Sequence, residues 1–273
     1  MAELEIGWIG FGAFGRFAVP HLSTELDVVV ADRGDVSAAA ADVGVAVVPV
    51  AEAARRSIVI LAVPVQNLDE LLLEISPHLR EDALVIEVAS VKVRPAELLE
   101  QRLGADVRFL GLHPMFGPQS GRNGLAGLKV VVCRPSRQGP RDEELACIKR
   151  YLSSLELELL EMEAVDHDRD MAYVQGLTHW MAKALREIHL PDLRLATPAY
   201  RHLLKIEEIL REDSLDLFLT IQRENPFAEA ARRELEARLS EIEEIVHGAG
   251  DDEAQARAAA SRGRGHTPPV ARS

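Results

Sequence analysis

Ile6–Gly15 reads I-G-W-I-G-F-G-A-F-G, and no other stretch narrows the possible folds so sharply. An apolar run ends at Gly10. Gly10, Gly12 and Gly15 then complete G-x-G-x-x-G before a helical stretch, Arg16–Leu22, which Pro20 would shorten or bend. A strand turning into a helix on this spacing uses each glycine differently. The first permits the tight turn and the second lets the backbone approach a pyrophosphate. The third lets helix pack closely on strand, with the phosphate at the positive helix N-terminus. The next apolar run ends at Asp32, 22 residues after Gly10, where a carboxylate would accept hydrogen bonds from ribose hydroxyls. That carboxylate would repel a 2′-phosphate, so the expected cofactor is NAD rather than NADP. Arg33 beside it reads as a solvated loop arginine, although a guanidinium there can pair with such a phosphate.

A glycine loop of this kind belongs to a doubly wound sheet, and the first half of the chain alternates short apolar runs with helical stretches. The expected strands are Glu5–Ile9, Asp27–Ala31, Ser57–Ala62, Ala83–Val88 and Arg108–Leu112, all rich in Val, Ile or Leu. Such continuous apolar runs suit strands covered on both faces. Lys129–Cys133 and Glu156–Glu161 follow, flanking a helix near Glu143–Ser153. From about Val165 the period changes to helical, through Asp166–Ile188, Thr197–Arg211, Ser214–Glu224 and Pro226–His247. The expected fold is therefore α/β: a Rossmann-type doubly wound sheet over residues 1–164, then an all-helical domain over 165–247. Residues 248–273 have almost no apolar bulk and are expected to be a disordered tail.

Composition removes several classes. Acidic residues outnumber basic ones 44 to 31, a net charge of −13, which disfavours a nucleic-acid partner. Apolar runs are broken by charge or Pro well before a membrane span would need, and acids occupy the start where a signal peptide needs bases. Cys133 and Cys147 make neither a disulfide framework nor a zinc pattern, so no metal is expected and the cytoplasm is the natural compartment.

Three further strand ends fall at the carboxyl edge, where ligands of open α/β sheets bind. Ile58–Val65 would bring Val63 and Pro64 beside a nicotinamide, or simply close a strand with proline. Ala89-Ser90-Val91-Lys92 follows one strand, and Lys92 can equally be a surface lysine capping the next helix. His113-Pro114-Met115-Phe116-Gly117-Pro118 follows another. Its Pro and Gly fix the direction of the turn, and a rigidly held imidazole near NAD suits a general base.

Leu110–Gly121 (LGLHPMFGPQSG), Ala89–Lys92 (ASVK), Val165–Trp180 (VDHDRDMAYVQGLTHW) and Thr197–Arg201 (TPAYR) resemble the prephenate/arogenate dehydrogenase family, most of all the dehydrogenase part of its bifunctional chorismate mutase members. The resemblance implies NAD-dependent oxidative decarboxylation of prephenate to 4-hydroxyphenylpyruvate in tyrosine biosynthesis, by a homodimer with its sites at a domain cleft. It implies His113 as the catalytic histidine on the ring hydroxyl, Ser90 as a bridge from hydroxyl to nicotinamide, and Lys92 as a residue important to the site. It also implies His179 near substrate, His167 as a structural histidine, and Arg201 on a substrate carboxylate. One departure stands out. Relatives carry a second carboxylate-binding arginine seven or eight residues on, where this chain has Glu208 and Ile209. An acid there would suit a substrate amine, which keeps arogenate and 4-amino-4-deoxyprephenate as alternatives. A non-catalytic dinucleotide sensor on the same fold is a third reading. A β-hydroxyacid or imine reductase would use a helix lysine such as Lys183, and its kind lacks the H-P-M-F-G-P block.

Overall fold

The computed structural model describes residues 5–24, 26–135, 137–211 and 213–247. The residues expected as a disordered tail lie outside these. The described chain divides into two compact units, one running to Glu229 and one from Ala230 onward.

The first unit is built on β1 (Glu5–Ile9), α1 (Ala13–Ser23), β2 (Asp27–Ala31), α2 (Ser37–Asp42), β3 (Ala46–Val47), α3 (Val50–Ala53), β4 (Ile58–Leu61) and α4 (Leu68–Ile75). There follow β5 (Leu84–Glu87), α5 (Val93–Arg102), β6 (Arg108–Pro114), β7 (Lys129–Cys133), α6 (Asp142–Ser154) and β8 (Glu158–Glu161). Then come α7 (Ala164–Met171), α8 (Thr178–Ile188), α9 (Pro198–Leu210) and α10 (Leu215–Leu219). A last helix, α11 (Ala228–Val246), carries the chain into the second unit.

All eight strands join one sheet in the order β3-β2-β1-β4-β5-β6-β7-β8. Pairing is parallel from β3 through β6, β7 runs antiparallel to β6, and β8 is parallel to β7. Alternate side chains feed two cores, as period-two geometry requires. Trp8, Ile60, Ile86 and Leu110 meet α1 and α6 on one face; Val59, Leu61, Val85 and Phe109 meet α4 and α5 on the other. Full burial of each such side chain is worth about 1.5–3 kcal/mol over leaving it in water.

Three helical expectations change. Pro20 sits inside α1 and does not cut it short. The run expected as one helix over Asp166–Ile188 is interrupted by a π-helical turn at Ala172–Leu177, where Gln222 Nε2 donates to the Gly176 carbonyl. A second π-helical turn, Thr220–Glu224, follows α10. Such π-helical turns are rare and occur mostly as single-turn bulges inside helices, frequently at functional sites. No described helix is long and apolar enough to cross a membrane.

Strand β6 is longer than its apolar run. It continues past Leu112 because β7 pairs His113 with Val131 and Pro114 with Val130. Strand β5 pairs only as far as Gly111, so His113 sits in regular strand where β6 has lost one neighbour. That end opens on the carboxyl edge of the parallel strands.

Candidate active site

The chain reverses its direction of winding between β1 and β4, the place where open sheets leave a crevice at their carboxyl ends. The glycine loop lies there. Gly10 has φ +101°, and a Cβ on it would come within 2.4 Å of the Ala62 carbonyl oxygen. A Cβ on Gly15 would lie 2.6 Å from the Gly10 carbonyl oxygen and 2.9 Å from Trp8 Nε1. Both positions therefore require glycine for the fold itself. Gly12 differs: a Cβ there would meet nothing within 4 Å, and Gly12 caps the N-terminus of α1. Its freedom serves no internal contact and leaves the helix N-terminus open to an anion, so the loop fits a pyrophosphate.

Asp32 holds this loop. Its carboxylate accepts from Phe11 N at 2.7 Å and from Gly34 N at 2.8 Å. Arg33 points elsewhere, to Glu70 at 3.1 Å and Glu74 at 3.7 Å on α4. Val63 borders Gly10 and is half-buried, and Pro64 is exposed.

His113 begins a buried chain of polar side chains. Its Nδ1 lies 2.8 Å from Nε2 of His167, and His167 Nδ1 lies 2.8 Å from Asp168 Oδ1. Asp168 also accepts from the backbone N–H groups of Lys92 (2.8 Å) and Val93 (2.9 Å), while its own carbonyl accepts from Asn225 Nδ2. All three side chains are buried. Burial, reinforced by the neighbouring His167 and Lys92, holds the pKa of His113 well below 6.5, so its imidazole is neutral near pH 7.

Lys92 is not the surface lysine that the sequence allowed. Its side chain is wholly buried, its ammonium paired with Glu87 and donating to the Leu112 carbonyl at 2.6 Å. Gly111 leaves room for this: a Cβ there would lie 2.9 Å from Glu87 Oε1. Lys92 thus grips the strand immediately before His113 and does not reach the open edge. A β5 that ends in glutamate, beside a glycine in β6, is the sequence signal for this pair.

Ser90 is half-buried in the turn between β5 and α5, on the same edge as His113. His179 is buried on α8, with Nδ1 3.6 Å from Asp213 Oδ2, and burial lowers its pKa to about 4. Arg201 is exposed on α9 and takes no part in the hydrogen-bonded group around His113. Glu208, the acid suspected of facing substrate, is exposed and 3.9 Å from Lys205, and Glu207 bonds Arg211 at 2.6 Å. The half-buried acid beside a histidine is Asp213 instead, which sequence reasoning passed over. Asp168 was passed over too. Its signal was the inward period of α7, where His167, Asp168 and Met171 are the buried residues. Among the described residues, no cluster of His, Cys, Asp and Glu is placed to hold a metal ion.

A crevice shaped for a pyrophosphate, with a neutral buried histidine at the same sheet edge, defines a Rossmann-type nucleotide-binding protein equipped for proton chemistry. The chain belongs to the prephenate dehydrogenase family. The family model described as prephenate dehydrogenase, nucleotide-binding domain, matches residues 23–160, about half of the chain. A second, described as TYRAAT1-like, C-terminal domain, matches residues 184–258. Arogenate dehydrogenase 1, chloroplastic, of Arabidopsis thaliana is 31% identical over 235 residues, covering 83% of this chain and 37% of that protein. This chain therefore spans little more than a third of that relative. The 4-amino-4-deoxyprephenate dehydrogenase of Streptomyces pristinaespiralis is 30% identical over 261 residues, covering 89% of this chain and 84% of that one. The solved prephenate dehydrogenase from A. aeolicus, in complex with hydroxyphenyl propionate and NAD+, shares the fold. Its TM-score is 0.72 at 22% identity, over 97% of this chain and 98% of that one.

Proposed function

We propose that this chain is a cytoplasmic, NAD-dependent dehydrogenase that converts prephenate to 4-hydroxyphenylpyruvate and CO2 in tyrosine biosynthesis, with His113 as the general base. The observation that carries this reading is the neutral, buried His113 on the edge that also holds the glycine loop. NAD, when bound, supplies the acceptor for the hydride that leaves ring C4. Gly10, Gly12 and Gly15 would hold its pyrophosphate, Asp32 its ribose, and Val63 and Pro64 its nicotinamide. His113 takes up the proton of the ring hydroxyl as hydride departs. Loss of CO2 from C1 then leaves its bonding pair in the ring, which becomes aromatic as the oxygen takes the proton back from His113. Ser90 orients the hydroxyl, and Arg201 binds a substrate carboxylate. Arg33, already paired with two glutamates, is poorly placed to receive a 2′-phosphate, which supports NAD over NADP.

A specific observation favours a second reading, in which the substrate carries an amine, as arogenate does. Asp213 is half-buried and 3.6 Å from His179, which is neutral near pH 7 and so cannot balance its charge. Burial raises the pKa of Asp213, a cost that a nearby cation would offset. A substrate ammonium would provide one.

The test is initial rates with prephenate, arogenate and 4-amino-4-deoxyprephenate, each with NAD and with NADP. The expected result is NADH formation from at least one substrate and a kcat/KM at least about 10-fold lower with NADP. Asp213→Asn should cut kcat/KM for an amino substrate about 10-fold and spare prephenate, while Arg201→Ala should raise KM more than it lowers kcat. No reduction of either cofactor with any substrate would end this reading in favour of a dinucleotide sensor.

In this reading residues 1–164 bind the dinucleotide, and 165–247 supply substrate contacts and a dimer interface. Tyr173, Val174, Met181, Ile188, Leu203 and Ile209 are all exposed, an apolar load that a second copy would cover. Sedimentation at micromolar concentration should show a species of twice the chain mass. An active, folded monomer would refute the dimer.

A further inference from the structure

We infer that His167 and Asp168 are positioning residues that fix the tautomer of His113, holding its proton on Nδ1 and leaving Nε2 bare towards the open edge. The inference rests on the reading of His113 as the base, and it assigns work to a histidine that the family resemblance implied was structural.

Each nitrogen and oxygen of this buried chain has a limited set of donor and acceptor roles. Asp168 Oδ1 receives Lys92 N, and Oδ2 receives Val93 N, so the carboxylate is already fixed as an acceptor from two sides. His167 Nδ1, 2.8 Å from Oδ1, must then carry a proton to make that contact favourable. His113, read as the base, must present a bare Nε2 to substrate and so carries its own proton on Nδ1, which requires His167 Nε2 to be a lone pair. It can only accept from His113 Nδ1, 2.8 Å away. The proton of neutral His113 is thereby held on Nδ1, and its Nε2 becomes the one ring nitrogen able to take a proton from substrate. The opposite order, with His167 donating to His113, would turn the His113 proton outward and leave no base.

Rigidity supports this. The three side chains are buried, and the rings of His113 and His167 meet edge-on, with centroids 5.0 Å apart. Each partner is anchored separately: Asp168 by backbone N–H groups of the β5–α5 turn, His113 by its pairing with Val131. An unanchored imidazole would divide between two tautomers and several ring angles, and misplacement of this order can cost about 100-fold in rate.

Side-chain 15N NMR of the histidine-labelled protein tests the inference directly, with His113→Asn used to assign the His113 signals. The expected spectrum has Nδ1 of both His113 and His167 protonated and both Nε2 atoms bare. His113 protonated on Nε2, or His167 protonated on both nitrogens, would overturn the inference, whether or not any candidate substrate is turned over. Kinetics give the second arm, with whichever substrate reacts. His167→Phe removes the acceptor and should lower kcat about 10- to 100-fold, with KM for substrate and NAD within about twofold. His167→Gln restores an acceptor oxygen and should recover most of that loss. Unchanged kcat in His167→Phe, or equal losses in the two variants, would reduce His167 to a packing residue. If no substrate reacts, the proposed function fails while the NMR result still decides the tautomer.

Discussion

Replacing His113 by Asn should cost at least about 100-fold in kcat while leaving NAD affinity unchanged, the scale on which a general base contributes. Asn is the informative choice because its amide N–H can still donate to His167 Nε2, so the buried chain below remains satisfied. The wild-type pH profile carries the same assignment. The base acts as neutral imidazole, so kcat falls as pH drops through the pKa of His113. Burial first, then His167 and Lys92, place that pKa well below 6.5. Because the two rings share a hydrogen bond, the acid limb of kcat should report the His113–His167 pair and not a single isolated imidazole. Near-normal turnover in His113→Asn would remove His113 from the mechanism.

The largest stability effect is expected at Lys92. Lys92→Met strands Glu87, whose carboxyl is already pushed to a higher pKa by burial, without its counter-ion inside the sheet. Breaking a buried pair from one side costs about 3–5 kcal/mol, and for a chain of this size that lowers Tm by roughly 10 °C. The double variant Glu87→Gln/Lys92→Met removes the stranded charge and keeps an acceptor for Ala89 N, so it should melt above the single variant. Thermal unfolding followed by circular dichroism reads both. A Lys92→Met protein as stable as wild type would mean that the pair contributes nothing.

These two residues also show where sequence reasoning reached and where it stopped. The glycine loop, the strands and the order of the motifs were legible because each depends on local geometry: a turn that only glycine can make, or an apolar run between polar ones. His113 was legible for the same reason, since the residues after it fix a turn at a strand end. Lys92 was left open between site and surface because a lysine after a strand looks the same whether its stem folds outward or back under the sheet. What decides is Glu87 and the space over Gly111, on two different strands. Asp168 and Asp213 were missed because their partners lie far along the chain, 76 residues away in the bond from Lys92 N to Asp168. The π-helical turns were invisible too, since period alone does not distinguish a continuous helix from one with an inserted residue.

The bonds from Lys92 and Val93 to Asp168 have an evolutionary and practical consequence. Rossmann modules are often thought of as cassettes, exchangeable between enzymes along with their cofactor preference. Here a cut after residue 164 would part His113 from its partner and bare two backbone donors at the start of α5. The nucleotide module has been grafted too deeply to be lifted out, and chimaeras that swap the helical segment would have to bring a matching His-Asp pair with them.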